Sequence, residues 1–301
     1  MDMKMIMDDI RSDRRKKVIL DTDAFNEIDD QFVIASFYYS DKVDLLAVCA
    51  EHYMHDRCNS RELGMNRSYN EIVKVLSLCD PHYTTETCRG SIQSIDDTGC
   101  AVESDAADAI IRIARESDEI IYVVAIGAIT NVASAILKAP DIIDKICVVF
   151  VGCRPLSIGC PDEYNVEQDY KGAQELYESG VRLVVIPDVN VTQKLRAPIE
   201  TIEELKGANT ACDYLYDLGN NAYHAVGCPP TWARTLWDLG APALFETPDA
   251  VTYEIIPRPI LTEDRTYAYD DSRPEMVMVT DLDRDQIYNT LWSVLKNGKK
   301  S

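Results

Sequence analysis

The sequence of 301 residues predicts a single α/β domain with a mostly parallel central sheet flanked by helices. Three observations predict this fold. Near-continuous Val/Ile/Leu segments recur along the chain, as in parallel strands that are buried on both faces. Helix-like amphipathic segments lie between them, which is typical of βαβ units. No Gly/Pro/Ser-rich linker, repeat or low-complexity tract interrupts this alternation, so one domain over 17–301 is favoured.

The apolar segments predict the strands, and the stretches between them predict the helices. Strands are expected at 17–23, 43–51, 119–127, 145–152, 181–189, 251–256 and 275–280. Helices are expected at 28–39, 66–79, 106–116, 131–137, 172–179 and about 283–296. Residues 201–239 carry helix-like runs with little strand signal, and we expect a helical cap region there, near the carboxyl edge of the sheet.

Residues 1–16 and the composition bear on the location of the protein. The first residues, MDMKMIMDDIRSDRRK, lack the continuous apolar core of a secretory signal and are interpreted as a mobile leader. No apolar run approaches the roughly 20 residues that a membrane span needs. Ten cysteines occur without a CxxC pair, which favours structural thiols over zinc ligands or disulfides. We therefore expect a cytoplasmic protein without a membrane partner.

The net charge argues against one class of partner. Thirty Lys and Arg residues oppose 51 Asp and Glu residues, which gives a net charge of −21. Binding to a nucleic acid depends largely on neutralising its phosphates with basic side chains. Nucleic acid is therefore excluded as an expected partner.

Five carboxylates crowd the end of the first predicted strand in VILDTDAFNEIDD, residues 18–30. They are Asp21, Asp23, Glu27, Asp29 and Asp30. Unbalanced carboxylates repel one another and raise each other's pKa, so a bound cation is expected. A simpler interpretation is that Asp29 and Asp30 stabilise the N-terminus of the following helix through its dipole. This interpretation does not account for Asp21 and Asp23.

Other polar segments follow the later predicted strands. Ligands of open α/β sheets bind outside the carboxyl ends of the strands, so these segments are expected to meet at one edge. They comprise Glu51, His52 and His55, then GAITN (127–131), CRPLSIGCPDEYNVEQD (153–169), and Asp188 with Asn190. The segments are rich in oxygen ligands and poor in paired His or Cys, which suits Ca²⁺ or Mg²⁺ rather than zinc. His82 and His224 are expected to be surface or packing residues.

With these residues in hand, the chain resembles the inosine-uridine nucleoside hydrolase family from about residue 17 to residue 240. VILDTDAFNEIDD is similar to the family's DTDPGxDD signature, and AIGAITN to its glycine-to-LTN loop. DEYNVEQD is similar to the EFN ribose-binding segment, and TLWDLGAP to the late segment that holds a calcium-binding aspartate. The resemblance implies calcium-dependent hydrolysis of the N-glycosidic bond of a nucleoside or another N-riboside. It also implies a homodimer or homotetramer.

The resemblance also implies roles for individual residues. Asp23 would be the catalytic base, with Asp21 in support. The implied calcium ligands are Asp23, Asp30, the backbone carbonyl of Thr130, and Asp238. The implied ribose contacts are Asp29, Glu163 and Asn165. In this mechanism calcium lowers the pKa of a water, Asp23 takes the proton, and the carboxylates stabilise an oxocarbenium-like transition state.

Several positions depart from the family pattern. The acidic loop is two residues longer and lacks Pro-Gly, so Asn26 and Glu27 are expected to border the sugar site. Glu51 and Ser157 stand where asparagines are usual in the family. Trp237 stands where one branch of the family has a histidine that acts as the general acid. Trp237 either stacks on the base or packs in the core. Arg234, Tyr223 and His224 are the candidates for a leaving-group acid.

Two alternatives to a nucleoside hydrolase stay open at this point. A haloacid dehalogenase-type phosphatase would use Asp21 and Asp23 in a DxDx[TV] motif, although Phe25 replaces the Thr or Val. A catalytically weak or silent protein on the same scaffold would bind a metal and a riboside without turnover. The preferred base is not predicted.

Overall fold

Twelve strands occur in the computed structural model, which describes residues 2–225 and 233–298. The first six are β1 (Lys16–Thr22), β2 (Val43–Ala50), β3 (Glu86–Cys88), β4 (Ile121–Ala125), β5 (Ile146–Val151) and β6 (Arg182–Ile186). The others are β7 (Arg196–Pro198), β8 (Ala233–Thr235), β9 (Val251–Pro257), β10 (Ile260–Leu261), β11 (Tyr267–Ala268) and β12 (Glu275–Leu282).

Eight of these strands form the central sheet, in the order β3-β2-β1-β4-β5-β6-β12-β9. Neighbouring strands are parallel except for β9, which runs antiparallel to β12 at one edge. The pairs β7–β8 and β10–β11 are separate antiparallel ribbons. The prediction of a single α/β domain with a mostly parallel sheet is confirmed.

Helices cover both faces of the sheet. In chain order they are α1 (Met3–Arg11), α2 (Asp30–Tyr39), α3 (Arg61–Cys79), α4 (Ile95–Thr98), α5 (Asp105–Glu116), α6 (Thr130–Lys138), α7 (Tyr164–Gln168), α8 (Tyr170–Glu178), α9 (Ile199–Glu203), α10 (Thr210–Ala225), α11 (Gly240–Glu246) and α12 (Arg284–Asn297). One buried core includes side chains of α1, α2, α3, α10, α11 and α12, and the other includes those of α5, α6 and α8. Within the described ranges, no helix has the length and apolar character to cross a membrane.

Each predicted strand and helix has a counterpart in the structure. The largest difference is the start of α3, which begins at residue 61 rather than 66 because the Ser60 side chain accepts a hydrogen bond from the Leu63 N–H and caps the helix. The expected helical region at 201–239 contains α10. It also contains the short strand β8, which has no alternating apolar pattern, and residues 226–232 of this region lie outside the described residues.

The interpretation of residues 1–16 as a mobile leader is wrong for the described residues. Residues 3–11 form α1, whose first turn is capped by Asp2, since its carboxylate accepts a hydrogen bond from the Met5 N–H at 2.8 Å. Met3, Ile6, Met7 and Ile10 are buried, and their spacing places them on one face of the helix. The helix packs on the core because this apolar face has a complementary surface on α11 and β12.

Ile6→Ala is expected to lower the free energy of unfolding by about 2 to 4 kcal/mol, because truncating a buried aliphatic side chain leaves a cavity. Ile6 is 0% exposed. Urea denaturation of the variant measures the loss. The control is Met5→Ala on the opposite face of α1, where the side chain is 52% exposed, and its effect should stay within about 0.5 kcal/mol. Equal effects of the two substitutions would show that α1 does not contribute to the core.

Candidate active site

The strand order reverses between β1 and β4, and two loops meet outside their carboxyl ends. Asp23 follows β1, and Gly127 follows β4. A Cβ atom at Gly127 would lie 3.0 Å from the backbone nitrogen of Asp23 and 3.1 Å from its Cβ. Glycine thus lets the two loops approach closely. Such a reversal is where open α/β sheets bind their ligands.

A cavity of about 270 Å³ opens at this edge. It brings together most of the side chains that the sequence selected: Asp23, Asn26, Glu27, Asp29, Asp30, Glu163, Asn165, Trp237 and Asp238. Asp21 and Thr130 are not among its lining residues. The site is therefore assembled from the loop after β1, the start of α7 and the turn that follows β8.

Three buried carboxylates form a cluster in this cavity. Asp29, Asp30 and Asp238 each place an oxygen within 4.8 Å of the others. The first two lie at the start of α2, and the backbone N–H of Asp238 donates to Oδ2 of Asp29 at 3.3 Å. The hydroxyl of Thr22 donates to Oδ1 of Asp30 at 2.5 Å. This triad could hold a metal ion.

Burial raises the pKa of each member of the triad. The pKa of Asp29 is raised to about 6, although the N–H groups of Asp238 and Trp237 partly offset the burial. The pKa of Asp30 is raised to about 7 by burial and by the charge of Asp29. Burial, and then the charges of the neighbouring carboxylates, raise the pKa of Asp238 well above its ordinary value. A bound cation would reverse these shifts by favouring the charged forms.

Two carboxylate oxygens in the cavity that lack a hydrogen-bond partner indicate whether a metal ion fits there. Oδ2 of Asp23 and Oδ1 of Asp29 are buried and have no hydrogen-bond partner in the described part of the chain. Buried carboxylate oxygens without a partner are costly, and a cation is the partner that would satisfy them. The residues present therefore fit a divalent cation that prefers oxygen ligands.

Asp23 lies beside the triad and is 3% exposed. Burial, followed by the charges of Asp30 and Asp29, raises its pKa well above its ordinary value. Positive charge at the triad would therefore favour the ionised form that can accept a proton. Asp23 lines the cavity, and its role as the catalytic base stays a prediction.

Glu163 and Asn165 also line the cavity. The carboxylate of Glu163 caps α7 by accepting hydrogen bonds from the N–H groups of Val166 at 2.8 Å and Asn165 at 2.9 Å. Burial raises the pKa of Glu163 to about 7. Nδ2 of Asn165 donates to the carbonyl of Val151 at 2.9 Å and to that of Ile126 at 3.3 Å. Asn165 thereby joins the ends of β4 and β5.

The comparisons with known proteins agree with this geometry. Residues 18–289 match the family described as inosine-uridine preferring nucleoside hydrolase. The chain belongs to this nucleoside hydrolase family. The resemblance that the sequence motifs indicated is thus confirmed.

The relatives and solved structures of the nucleoside hydrolase family differ in how much they cover. The chain is 27% identical over 208 residues to the pyrimidine-specific ribonucleoside hydrolase RihA of Shigella boydii serotype 4 (strain Sb227), over 64% of this chain and 66% of that protein. It is 28% identical over 154 residues to RihA of Escherichia coli O1:K1 / APEC, and this match covers 47% of this chain and 49% of that protein. The chain thus spans about half to two thirds of the length of these curated relatives.

Two solved structures share the fold over nearly the whole chain. A plant nucleoside hydrolase, the PpNRh1 enzyme, has a TM-score of 0.74 and 19% identity, with 93% of this chain and 99% of that chain covered. A purine-preferring ribonucleoside hydrolase from Gardnerella vaginalis has a TM-score of 0.73 and 21% identity, with 94% and 98% covered. At this level of identity the likeness shows the nucleoside hydrolase fold.

Thr130 of the nucleoside hydrolase LTN-like motif begins α6, and its side chain bonds away from the cavity. Its hydroxyl donates to Oδ2 of Asp169 at 2.5 Å and lies 3.0 Å from Nε2 of His52. Asp169 also accepts hydrogen bonds from the N–H groups of Ile95 and Asp96, so it ties α4 to α6. The role of the Thr130 backbone carbonyl as a calcium ligand stays a prediction.

Asp21 and Glu51 form a second layer behind the cavity, joined by Asn131. Oδ1 of Asp21 accepts a hydrogen bond from Nδ2 of Asn131 at 2.9 Å, and Oε1 of Glu51 accepts one from the Asn131 backbone N–H at 2.7 Å. Asp21 thus lies outside the cavity lining, and its supporting role stays a prediction. This position also counts against the phosphatase alternative, in which Asp21 and Asp23 would act together on a ligand.

The departures from the nucleoside hydrolase pattern fall at different distances from the cavity. Glu27 lines it and forms an ion pair with Arg234, one of the candidate acids. Tyr223 and His224 lie at the end of α10 and are not among the lining residues. Ser157 is exposed in a short 3-10 helix outside the cavity.

Three polar lining residues had no role assigned from the sequence: Tyr164, Asp188 and Thr192. Burial raises the pKa of Asp188, which lies 3.9 Å from Nε of Arg154. The sequence analysis already placed Asp188 among the polar residues that follow the predicted strands, and it lies just after β6, as Asp23 lies just after β1. Tyr164 lies inside the DEYN motif between two residues that the sequence did select.

Proposed function

We propose that this protein hydrolyses the N-glycosidic bond of ribonucleosides and releases ribose and a free base, with calcium as its cofactor. The observation that carries the proposal is the buried triad of Asp29, Asp30 and Asp238 beside Asp23, in a cavity at the carboxyl edge of a nucleoside hydrolase fold. The printed names of the relatives support it, since RihA is named as a pyrimidine-specific and the Gardnerella protein as a purine-preferring ribonucleoside hydrolase.

The donor set favours calcium over zinc. No His or Cys occurs among the described residues that line the cavity, whereas carboxylates are abundant there. Carboxylate and carbonyl oxygens are the ligands of Ca²⁺, while zinc prefers imidazole and thiolate. We propose that Asp23, Asp30, Asp238 and the carbonyl of Thr130 hold the ion, with Asp29 at its edge.

Each of the chain's own groups has a place in the proposed reaction. Bound calcium would supply positive charge that lowers the pKa of a nearby water. Asp23 accepts a proton from the water that attacks the anomeric carbon, while the N-glycosidic bond breaks and the base leaves with the bonding electrons and takes up a proton. Asp29, Glu163 and Asn165 hold the ribose hydroxyls, which fixes the sugar relative to that water. The surrounding carboxylates stabilise the positive charge that develops on the ribose ring.

The test is release of free ribose from a panel of purine and pyrimidine ribonucleosides, with and without a calcium chelator. Ribose release that the chelator abolishes and calcium restores would support the proposal. Calcium and ribose binding without release from any nucleoside would instead favour a silent riboside-binding protein. Restoration by zinc but not by calcium would contradict the assignment of the metal.

We also propose that the protein is cytoplasmic and self-associates as a homodimer or homotetramer. The nine cysteines in the described part of the chain are free thiols, which suits a reducing compartment. The oligomeric state is expected from the family resemblance. Light scattering coupled to size-exclusion chromatography would measure it.

Trp237→Ala is expected to raise KM for purine nucleosides more than for pyrimidine nucleosides. Trp237 lines the cavity next to Asp238 and is partly exposed, so its ring is available to a base. Stacking of a base on an aromatic ring contributes about 1 to 3 kcal/mol, and the larger purine ring would lose more of it. Steady-state kinetics with inosine and uridine would measure the change, with Trp237→Phe as the variant that keeps a ring. An unchanged purine-to-pyrimidine ratio would assign Trp237 to packing.

A further inference from the structure

Asp188 is a carboxylate of the cavity that the proposed reaction does not use. It follows β6 at the carboxyl edge of the sheet and lines the cavity. It does not belong to the triad of Asp29, Asp30 and Asp238 that could hold the metal ion. Its side chain is 24% exposed. Because Asp188 lines the cavity, this exposed part is open to a ligand that binds there.

The backbone of Cys153 joins Asp188 to Glu163. The N–H of Cys153 donates to Oε1 of Glu163 at 3.1 Å, and its carbonyl accepts a hydrogen bond from the N–H of Asp188 at 3.3 Å. Cys153 has a φ of 65°, in the left-handed region that residues other than glycine seldom adopt. Such a conformation persists only where the surrounding structure determines it. Asp188 and Glu163 are therefore held side by side through one residue.

Two neighbours favour the charged form of the Asp188 carboxylate. Oδ1 accepts a hydrogen bond from the backbone N–H of Val189, and Oδ2 lies 3.9 Å from Nε of Arg154. These contacts oppose the rise in pKa that burial causes. The distance of 3.9 Å is an ion-pair contact and is too long for a hydrogen bond. Since a carboxylate has about four acceptor positions, Asp188 can still accept a hydrogen bond from a ligand.

We propose that Asp188 is a specificity-determining residue that accepts a hydrogen bond from the 5′-hydroxyl of the substrate ribose. The inference rests on the proposed function, in which Asp29, Glu163 and Asn165 hold hydroxyls of the ribose ring. A ribonucleoside has one further sugar hydroxyl, on the exocyclic C5′ carbon. Asp188 lies beside Glu163 and outside the metal-binding triad, so it is the cavity carboxylate that remains for this hydroxyl.

The charge of Asp188 also selects the chemical class of the substrate. A hydroxyl group donates a hydrogen bond to a carboxylate, whereas a charged phosphate group is repelled by it. Arg154 is not among the described residues that line the cavity, so its charge offers a phosphate no direct contact there. We therefore expect nucleosides with a free 5′-hydroxyl as substrates and nucleoside 5′-phosphates to be rejected.

The test compares uridine with 5′-deoxyuridine, and inosine with 5′-deoxyinosine, in the calcium-loaded wild type and in Asp188→Ala. Loss of a hydrogen bond to a charged group is expected to lower kcat/KM for the 5′-hydroxyl substrates by about 10- to 100-fold in the variant. The wild type should lose a similar factor with the 5′-deoxy substrates, and Asp188→Ala should not distinguish the two kinds of substrate. Equal losses in the variant for both kinds would overturn the inference, because a merely structural role of Asp188 does not depend on the 5′-hydroxyl.

Asp188→Asn is a second variant, which keeps an acceptor oxygen and nearly the shape of aspartate but removes the charge. It should still prefer the 5′-hydroxyl substrates, and its kcat/KM for uridine 5′-monophosphate relative to uridine should rise by about tenfold or more. An unchanged ratio would contradict the rejection of phosphates by Asp188. The matched control is Asp141→Ala, which also removes a carboxylate paired with an arginine, Arg115, but outside the cavity. Its kcat/KM should equal that of the wild type for each substrate.

A binding measurement separates this inference from the proposed function. If the wild type releases no ribose, the proposed function fails, and calorimetric Kd values for uridine and 5′-deoxyuridine then decide the role of Asp188. Tighter binding of uridine by the wild type, with the difference lost in Asp188→Ala, would support the inference. Equal Kd values for the two nucleosides in the wild type, or binding of neither, would overturn it.

Discussion

Asp23→Asn is expected to lower kcat for ribose release by about 10³-fold or more, while calcium stays bound because the amide oxygen of asparagine can still act as a ligand. Asparagine has nearly the shape of aspartate but cannot accept the proton of the attacking water, and general base catalysis typically contributes about 10² to 10⁴. The triad of Asp29, Asp30 and Asp238 stays intact in this variant. Ribose release gives kcat, and titration calorimetry gives the Kd for calcium.

The matched control for Asp23→Asn is Asp144→Asn, which removes a carboxylate whose side chain is 95% exposed. Its kcat should equal that of the wild type. If Asp23→Asn retained more than a tenth of wild-type kcat, Asp23 would not be the base, and a different cavity carboxylate would have to accept the proton. Asp188 would be the next to replace, because it lines the same cavity.

Asp238→Ala is expected to weaken calcium binding by at least about 100-fold, because it removes a member of the buried triad. Loss of a residue that merely supports a metal ligand already costs roughly 10- to 100-fold in affinity. Activity should fall in parallel at low calcium. Calorimetry measures the affinity, and Asp249→Ala is the control, since that carboxylate is exposed outside the cavity.

The change in Tm caused by Asp238→Ala should have opposite signs without and with calcium. Without calcium, the wild type keeps three carboxylates buried together, so removing Asp238 relieves their repulsion and should raise the Tm. With calcium present, the wild type gains stability from the bound ion and the variant does not; saturation at 100 times Kd contributes about 2.7 kcal/mol. A calcium-induced rise in Tm that is equal in the two proteins would contradict the assignment of Asp238 as a ligand.

The sequence predicts the central strands well because they are buried on both faces. Ile121–Ala125 and Ile146–Val151 are buried at each position, and such strands have continuous apolar runs. β3 was missed because it has only three residues, of which Glu86 is exposed. α1 was missed because its apolar residues are spaced for one helical face among charges, whereas a signal sequence is recognised by a continuous apolar core.

Some residues of the candidate site could be predicted from local sequence, and others could not. The carboxylates after β1 could be selected from local sequence because they follow a recognisable buried strand. Asp238 could be selected only through the family motif, because it reaches Asp29 across 209 positions of sequence and no local pattern indicates that approach. The hydrogen bond that the Tyr164 hydroxyl donates to Oδ1 of Asn26 depends on a turn geometry and a side-chain orientation, and neither of these has a periodic pattern in the sequence.

The reversal of strand order between β1 and β4 also determines when the site can exist during folding. Asp29 and Asp30 lie near the start of the sequence, and Asp238 lies 209 positions after Asp29. The strands of the sheet must already be paired before these carboxylates come together. An ion that needs all three carboxylates therefore recognises the finished sheet and not a partly folded chain. Interactions absent from the folding transition state slow unfolding without speeding folding. Bound calcium would therefore slow the unfolding of the native state and would not speed its folding.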